Sequence, residues 1–490
     1  MTTIHSLPDE ILLEIFDFCV VVNQDFPNSD AQPPIVTSGR DMQRQSKSWH
    51  SLVHVCRRWR AIVFKSAHRL NLQLVCTPVT PAKVTLDIWP PLPLLIYGDV
   101  SIFGADNIIV ALKHSDRVCS IDLNVGSLQL ENVLTAMQVP FPELTDLSLT
   151  LKDATASVIP DSFMGGSAPR LRLLCLDAIP FPALPNLLRS TTHLVDLRLL
   201  NIPQSGYISP EAMATCLSEL TGLREISLEF QSHLPYPEQN SWQRLPSPRS
   251  VLPALYYFRF KGVNEYLEEL VAGIDAPRLY QLSTTFFSQI NFDIGELIQF
   301  ISRTSIMKEL NDARVVFDSR TAWVTFQPQI SQLSIEQVKV EISCQVPDWQ
   351  LSSLAQICDF SLDWMESLYV YENLHSQLDW DDNIENAEWL ELLHSFTAVK
   401  NLYLSKQFAP RLAPALQELT GDRTTEVLPT LRNIFLEGFL PSKPVQEGIR
   451  QFVSARQLID RPVAIAVWER GSELEIMSLG FREGKVVGGW

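Results

Sequence analysis

The chain has 490 residues, of which 46% are hydrophobic and 19% are charged. This balance is typical of a folded protein and excludes a largely disordered chain. The length is sufficient for a small module with a large core, or for an array of repeats. The formal net charge of −17 disfavours nucleic-acid binding, which depends on basic surfaces.

The sequence shows no membrane-spanning or secretory segment. No uninterrupted apolar run approaches the roughly 18 residues that a membrane helix needs. The first residues also lack the basic flank and apolar run of a signal peptide. The eight cysteines are scattered without a CxxC pair, which favours reduced thiols. We therefore expect a cytoplasmic or nuclear protein that does not associate with membranes.

Two short amphipathic helices are predicted near the N-terminus. Ser6 is a suitable N-cap, and Pro8 and Asp9 follow in the first turn, where proline and negative charge favour a helix start. Apolar residues then recur at helical spacing in two stripes, Leu7, Ile11, Leu12, Ile15, Phe16 and Cys19, and Leu52, Val55, Cys56, Trp59 and Val63. Helices of this size cannot bury such stripes alone and need something to pack against.

These two stretches resemble the two halves of an F-box. The matching segments are LPDEILLEIF at residues 7–16 and LVHVCRRWR at residues 52–60, in the family's order. An F-box is a small helical module with which family members bind the Skp adaptor of Skp–cullin–F-box ubiquitin ligases. The chain departs from the family at residues 23–48, where a polar insert with three prolines replaces a short turn. We expect that insert to lie on the surface.

The resemblance implies which residues contact the adaptor and what the chain does. The implied contact residues are Leu7, Pro8, Ile11, Leu12, Ile15, Phe16, Val55, Cys56 and Trp59. The chain would bind the cullin through the Skp adaptor and would bring an unknown target protein to the ligase. Such a function is non-catalytic.

After residue 70 the pattern changes from helical to strand-like. Residues 71–75 and 84–88 alternate like strands between proline-rich turns. A motif of three apolar positions then recurs, with two residues between the first and second positions and one between the second and third. Its copies begin at Val118, Leu144, Leu171, Leu194, Leu223, Leu255, Leu279, Leu310 (degraded), Ile335, Met365, Val399 and Leu431. Successive copies begin between 23 and 34 residues apart, close to what a strand and a return helix occupy.

This motif resembles the leucine-rich repeat, in an irregular version without the usual asparagine after the strand. The expected fold class is α/β, with an F-box at 1–70 and a leucine-rich-repeat-like solenoid with a curved parallel sheet at 71–490. Clear repeats run from about 118 to 440, and residues 441–490, with the apolar stretch 462–468, would close the C-terminal end. Stacking follows because each repeat leaves apolar surface that only a neighbour can cover. The alternative is an ordinary domain of alternating strands and helices.

Residues that alternate with the apolar strand positions should face outward on the sheet. Tyr369, Tyr403 and Phe435 occupy the same outward position in the last three clear repeats. Adjacent strands lie about 4.8 Å apart, so these rings should form an exposed aromatic row. Further candidates for target binding are Tyr371, Glu437, Tyr257, Arg259 and Lys261. Aromatic and arginine side chains dominate binding hot spots. The alternative is that the C-terminal segment covers and buries the row.

The sequence shows no catalytic or metal-binding motif. It contains no phosphate-binding loop, dinucleotide-binding turn or nucleophile elbow. His50 and His54 have the spacing of HExxH zinc ligands, but Ser51 occupies the position of the required glutamate. The acidic residues 379–382 lack the spacing and glycine of a calcium loop. We therefore expect no cofactor, no metal and no catalytic residue.

Two functions follow from these observations. In the first, the chain is the substrate-recognition subunit of a ubiquitin ligase and presents a target on its repeat domain. In the second, it is an interaction scaffold that binds the adaptor without supporting ubiquitination. A third class, an enzyme, would need convergent polar residues in a deep pocket.

Overall fold

The computed structural model describes residues 7–21, 49–153, 157–231, 249–287, 294–304, 306, 310–328, 337–343, 347–358, 364–373, 384–419, 421–438 and 443–469. The chain forms two compact units, Met1–Ile208 and Ser209–Trp490. The predicted division at residue 70 lies inside the first unit and stays a prediction. No helix in the described ranges is long and apolar enough to cross a membrane.

The described residues of the first unit begin with three helices. They are α1 (Asp9–Val21), α2 (residues 49–55) and α3 (Arg57–Lys65). Asp9 and Glu10 lie in the first turn of α1, where negative charge complements the helix dipole. Cys56 separates α2 from α3, and its sulfur accepts a hydrogen bond from the backbone N–H of Trp59 at 3.5 Å. Ser6 and the insert at 23–48 lie outside the described residues.

Six parallel strands follow and pair in chain order. They are β1 (Leu74–Cys76), β2 (Leu94–Asp99), β3 (Val118–Val125), β4 (Asp146–Leu151), β5 (Leu173–Asp177) and β6 (Asp196–Ile202). The helices between them are α4 (Ala82–Ile88), α5 (Val100–Phe103), α6 (Asp106–Leu112), α7 (Ser127–Ala136) and α8 (Leu184–Leu188). The register places Leu147 opposite Leu174, and Leu174 opposite Leu197. All three are buried, so equivalent apolar positions stack as a repeat array requires.

The prediction of a strand at residues 84–88 is wrong, because these residues belong to α4. Pro81 precedes the helix, and its carbonyl accepts a hydrogen bond from the N–H of Thr85 at 3.0 Å. Proline favours a helix start because its φ is already helical. Val84 and Ile88 are exposed, so their alternation does not mark a buried strand face. The other predicted strand is shifted, since β1 begins at Leu74 rather than at residue 71.

The second unit contains twelve strands among its described residues. They are β7 (Glu225–Phe230), β8 (Ser250–Val251), β9 (Tyr257–Gly262), β10 (Ile274–Asp275), β11 (Gln281–Phe287), β12 (Asp312–Phe317), β13 (Thr321–Gln327), β14 (Val338–Ser343), β15 (Ser367–Glu372), β16 (Asn401–Leu404), β17 (Asn433–Glu437) and β18 (Ala464–Trp468). Ten of them form a sheet in the order β7-β9-β11-β14-β13-β12-β15-β16-β17-β18, while β8 and β10 pair separately.

Seven helices alternate with these strands. They are α9 (Pro210–Ser218), α10 (Asn264–Ala272), α11 (Gly295–Ser302), α12 (Pro347–Cys358), α13 (Asn386–His394), α14 (Ala409–Gln417) and α15 (Lys443–Leu458). The second apolar position of every predicted repeat lies in a strand, and β18 follows the last repeat. The fold class is therefore α/β, with helices and strands alternating along mostly parallel sheets as in a leucine-rich-repeat solenoid.

One strand, β13, departs from the predicted parallel arrangement of the sheet. This strand runs antiparallel between β12 and β14, and β14 rather than β12 pairs with β11. The N–H of Asp318 donates to the carbonyl of Thr321 at 2.8 Å, which closes a tight turn and reverses the chain. Ala322, Val324 and Phe326 are buried and alternate along β13, so the added strand continues the apolar face.

Candidate functional site

The first candidate site is the N-terminal module formed by α1, α2 and α3. The rings of Phe16 and Trp59 pack with centroids 4.8 Å apart. Leu12 and Phe16 are fully buried, and Trp59 is 9% exposed. Burial of large side chains of this kind contributes about 1.5–3 kcal/mol each. This apolar contact therefore holds α1 against α3.

Ion pairs fix the orientation of α1 on α3. Arg58 Nη2 lies 2.6 Å from Asp9 Oδ1 at the start of α1. Arg69 Nη2 lies 2.6 Å from Glu14 Oε1 and 2.6 Å from Asp17 Oδ2. Exposed pairs of this kind contribute only about 0.2–1 kcal/mol each. Their main effect is to set which side of α1 faces outward.

The outward side of α1 is an exposed apolar face. Ile11, Ile15 and Phe18 are 47%, 37% and 71% exposed. Their spacing of four and three residues places them on one side of the helix. Val55, at the end of α2, is 55% exposed. The module is thus closed internally and still presents apolar side chains to solvent; we call Ile11, Ile15, Phe18 and Val55 the apolar face.

The predicted adaptor contacts divide between the interior and the surface of the module. Leu12, Phe16 and Trp59 are buried and hold the helices together, and their predicted contact with the adaptor stays a prediction. The apolar stripe on α1 covers two sides of the helix. Sequence spacing alone does not show which of its residues are buried and which are exposed. The accessible or half-buried members are Leu7, Pro8, Ile11, Ile15, Val55 and Cys56. Phe18 was missed, although it lies three residues after Ile15.

Aromatic contacts attach α2 to the first strands. Trp49 Nε1 donates to the carbonyl of Gln73 at 3.3 Å, and its ring lies 5.4 Å from that of Trp89. The rings of His50 and His54 lie 5.1 and 6.0 Å from Trp89. Burial, and then the charge of His54, lower the pKa of His50. No cluster of three metal-ligating side chains occurs in the described part of the chain, and residues 379–382 lie outside it.

The second candidate site is the aromatic row of the second unit. The register places Tyr369 opposite Tyr403, and Tyr403 opposite Phe435. Their rings stack with centroids 4.2 and 4.3 Å apart and planes within 13° and 7° of parallel. The guanidinium carbon of Arg314 lies 5.5 Å from the Tyr369 centroid, which continues the row onto β12. The predicted stacking is confirmed.

The C-terminal strand covers part of this row. Trp468 on β18 is 2% exposed, and its Nε1 donates to the carbonyl of Leu404 at 3.2 Å. Its ring lies 5.7 Å from Tyr403 and 6.3 Å from Tyr369. Tyr369 is 5% exposed, and burial raises the pKa of its hydroxyl. The prediction of an exposed row is therefore wrong for Tyr369, while Tyr403 and Phe435 are half-buried.

The remaining candidate residues do not form one surface. Tyr371 lies on β15, Glu437 on β17, and Tyr257, Arg259 and Lys261 on β9. Four strands separate β9 from β15, which corresponds to roughly 24 Å at the usual strand spacing. Arg259 is also paired with Glu229 at 3.2 Å. The candidates on β9 are therefore distant from the aromatic row.

The sheet of the first unit carries a polar row that the sequence did not single out. Its outward positions align Tyr97, Asp122, Ser148, Cys175 and Arg198 across β2 to β6. Burial raises the pKa of the Asp122 carboxyl. It also raises the pKa of the Cys175 thiol to about 11. This row therefore lacks a reactive thiolate at neutral pH.

Alkylation should detect the raised thiol pKa. Cys175 and Cys119 both have a pKa of about 11 because of burial. Thiolate is the reactive form, so we expect their iodoacetamide rates in the folded chain to rise about tenfold per pH unit between about pH 7 and pH 9. Peptide mass spectrometry measures both rates, with the guanidinium-unfolded chain as control. Rapid labelling at neutral pH would contradict the assignment.

Comparison with known proteins gives a distant structural likeness. No protein-family model matches the chain, and no curated protein matches it. A leucine-rich repeat-containing protein of Legionella pneumophila, LegL7, is similar in structure at 13% identity and a TM-score of 0.26, over 78% of this chain and 97% of that one. At so low a TM-score the likeness carries no argument, and the fold assignment depends on the strand order and register described above.

Proposed function

We propose that the chain is the substrate-recognition subunit of a Skp–cullin–F-box ubiquitin ligase. In this proposal the N-terminal module binds the Skp adaptor, the adaptor binds the cullin, and the repeat-like units hold a target protein. The observation that carries the proposal is the apolar face of Ile11, Ile15, Phe18 and Val55, exposed on a module whose sequence resembles an F-box. Contiguous exposed apolar side chains of this kind mark interaction sites.

Charges beside the apolar face favour the same partner. Arg57 and Arg60 are exposed on α3, which begins after Val55 and its own N-cap, Cys56. These two cations favour encounter with an acidic adaptor through long-range attraction. The apolar face would supply the affinity, at about 25 cal/mol for each Å² removed from water.

The chain's contribution to ubiquitin transfer would be positional. Holding the target beside the conjugating enzyme raises the effective concentration of the target lysine there. This contribution needs no catalytic residue in the chain. The aromatic row remains a proposed part of the target-binding surface through Tyr403 and Phe435, which are half-buried.

Substituting the apolar face should weaken adaptor binding without unfolding the module. We expect Ile11→Asp/Ile15→Asp to lower the affinity for purified Skp adaptor at least tenfold, or about 1.4 kcal/mol. The reason is that binding would bury two unpaired carboxylates. Both side chains face solvent in the free chain, so folding should be unaffected. Co-purification and biosensor titration measure the loss.

A matched control is available in the same unit. Val84 and Ile88 are four residues apart on α4 and are 56% and 67% exposed. We expect Val84→Asp/Ile88→Asp to retain the adaptor affinity of the unaltered chain. Equal affinity of the two double variants would remove the apolar face as the binding site. Cullin recovered with the adaptor would favour the ligase subunit, and adaptor alone would favour the scaffold.

A further inference from the structure

An exposed apolar patch lies where two helices follow strands β2 and β3. Helix α5 begins directly after β2, and α7 follows β3 with only Gly126 between them. Ile102 and Phe103 on α5 are 71% and 60% exposed, and Leu128 in the first turn of α7 is 84% exposed. We call these three side chains the α5–α7 patch. Exposure of three large apolar side chains at one edge of a sheet requires an explanation.

Hydrogen bonds and a close backbone approach hold α5 and α7 in position beside each other. A Cβ atom placed on Gly126 would lie 3.3 Å from Cβ of Ser101, so the two helices meet there. Asp99 Oδ1 accepts from the N–H of Ser101 at 3.0 Å and begins α5. Asp153 Oδ2 accepts from the N–H of Ser127 at 2.9 Å and ties α7 to the loop after β4. These contacts hold the first turns of α5 and α7 in place, and the fold thereby presents Ile102, Phe103 and Leu128 to solvent.

Carboxylates border the α5–α7 patch. Residues 99–106 and 126–136 contain Asp99, Asp106 and Glu131 and no lysine or arginine. Asp153 adds a fourth carboxylate beside α7, and the exposed Lys152 precedes it. The local charge is therefore negative, and phosphate-rich partners such as nucleic acid would be repelled.

The acidic character continues onto the sheet. Asp177, at the end of β5, and Asp122, within β3, occupy outward positions. Arg198 on β6 is paired with Asp196 at 2.6 Å, so its charge is already balanced. A second copy of this chain would bring the same carboxylates to the contact, and like charges oppose each other at an interface.

We infer that the α5–α7 patch and the adjoining acidic strand ends bind a peptide segment that carries apolar side chains beside lysine or arginine. The apolar side chains of the segment cover Ile102, Phe103 and Leu128, and its cations meet the bordering carboxylates. The inference rests on the proposed function, since the segment would belong to the target protein. It gives the target-binding segment a chemical class. It also places a second target-binding surface on the first unit, in addition to the aromatic row of the second unit.

Selection from a random displayed peptide library tests the inference. The full chain is the bait, and the variant Ile102→Asp/Leu128→Asp is used for counter-selection. We expect the enriched peptides to combine aliphatic or aromatic residues with lysine or arginine. A synthetic peptide of the most enriched sequence should bind the variant at least tenfold more weakly than the unaltered chain. Its affinity should also fall as salt is added, because charge contributes to the contact.

The control variant is Leu458→Asp, at an apolar residue of α15 that is 87% exposed. It should bind the peptide as the unaltered chain does, and circular dichroism should show that both variants are folded. Enriched peptides without basic residues would overturn the inference, as would equal binding by the patch variant. Self-association that the patch variant abolishes would also overturn it, because a second copy would then occupy the patch.

Failure of this inference is distinguishable from failure of the proposed function. The patch variant keeps Ile11 and Ile15, so it should recover the Skp adaptor as well as the unaltered chain does. Peptide selection uses no adaptor and therefore reports on the patch alone. Loss of peptide binding with normal adaptor recovery is the result that supports the inference.

Discussion

Replacing Phe16 with alanine is expected to destabilise the N-terminal module by about 3–5 kcal/mol. Phe16 is fully buried and packs on Trp59 at 4.8 Å, so truncation leaves a cavity between α1 and α3. Helices of about a dozen residues are marginal without tertiary contacts, and the loss should therefore open the module. Amide hydrogen exchange of α1 and α3 in the full chain measures the change.

Phe18→Ala is the matched control, two residues further along the same helix. Phe18 is 71% exposed, so truncation should change the free energy of unfolding by less than about 0.5 kcal/mol. Under the proposed function it should nevertheless weaken adaptor binding, since Phe18 belongs to the apolar face. The two variants thus separate stability from docking. Similar exchange rates in both would contradict the assignment of Phe16 to the interior.

The repeat architecture was predictable because it depends on local spacing. Leu147, Leu174 and Leu197 are the second apolar positions of three consecutive predicted repeats, and the structure aligns them in adjacent strands. A strand presents alternate residues on opposite faces, so the spacing of the apolar positions also predicted that Tyr369 stacks on Tyr403. Both alignments depend only on contacts between adjacent strands.

The departures arise where the outcome depends on distant or competing interactions. Strand β13 carries no three-position motif, and the tight turn at Asp318 decided its direction. On α1, spacing identified apolar residues but did not divide them, because packing on Trp59 selects Phe16 for the interior and leaves Phe18 outside. The first case depends on a turn between two apolar strands, and the second on a tertiary contact between α1 and α3.

The burial of the aromatic row depends on a residue far along the chain. Register placed Tyr369, Tyr403 and Phe435 side by side, which the alternation of apolar positions anticipated. Whether those rings face solvent depends on Trp468, which belongs to a later strand and hydrogen-bonds the backbone of β16. The sequence left both outcomes open, and the contact of one indole side chain decides between them.

Trp468→Ala is expected to destabilise the C-terminal strands by about 3–5 kcal/mol. The indole is 2% exposed and packs edge-on against Tyr403 at 5.7 Å. Its truncation removes this contact and leaves the carbonyl of Leu404 without the bond from Nε1. Strand β18 is joined to β17 alone in the described sheet, so opening should begin there. Hydrogen exchange of the β16 to β18 amides measures the loss of protection.

Two further variants serve as controls for Trp468→Ala. Trp468→Phe keeps a smaller ring against Tyr403 and removes the indole hydrogen bond together with part of the buried ring volume, so it should cost less than Trp468→Ala. Leu458→Ala alters an 87% exposed side chain on the preceding helix and should leave the β16 to β18 amides protected. Unchanged protection in Trp468→Ala would show that the strands hold without the indole. Graded loss in the order alanine, phenylalanine, unaltered chain is expected, because ring packing contributes more to the stability of this end than the hydrogen bond does.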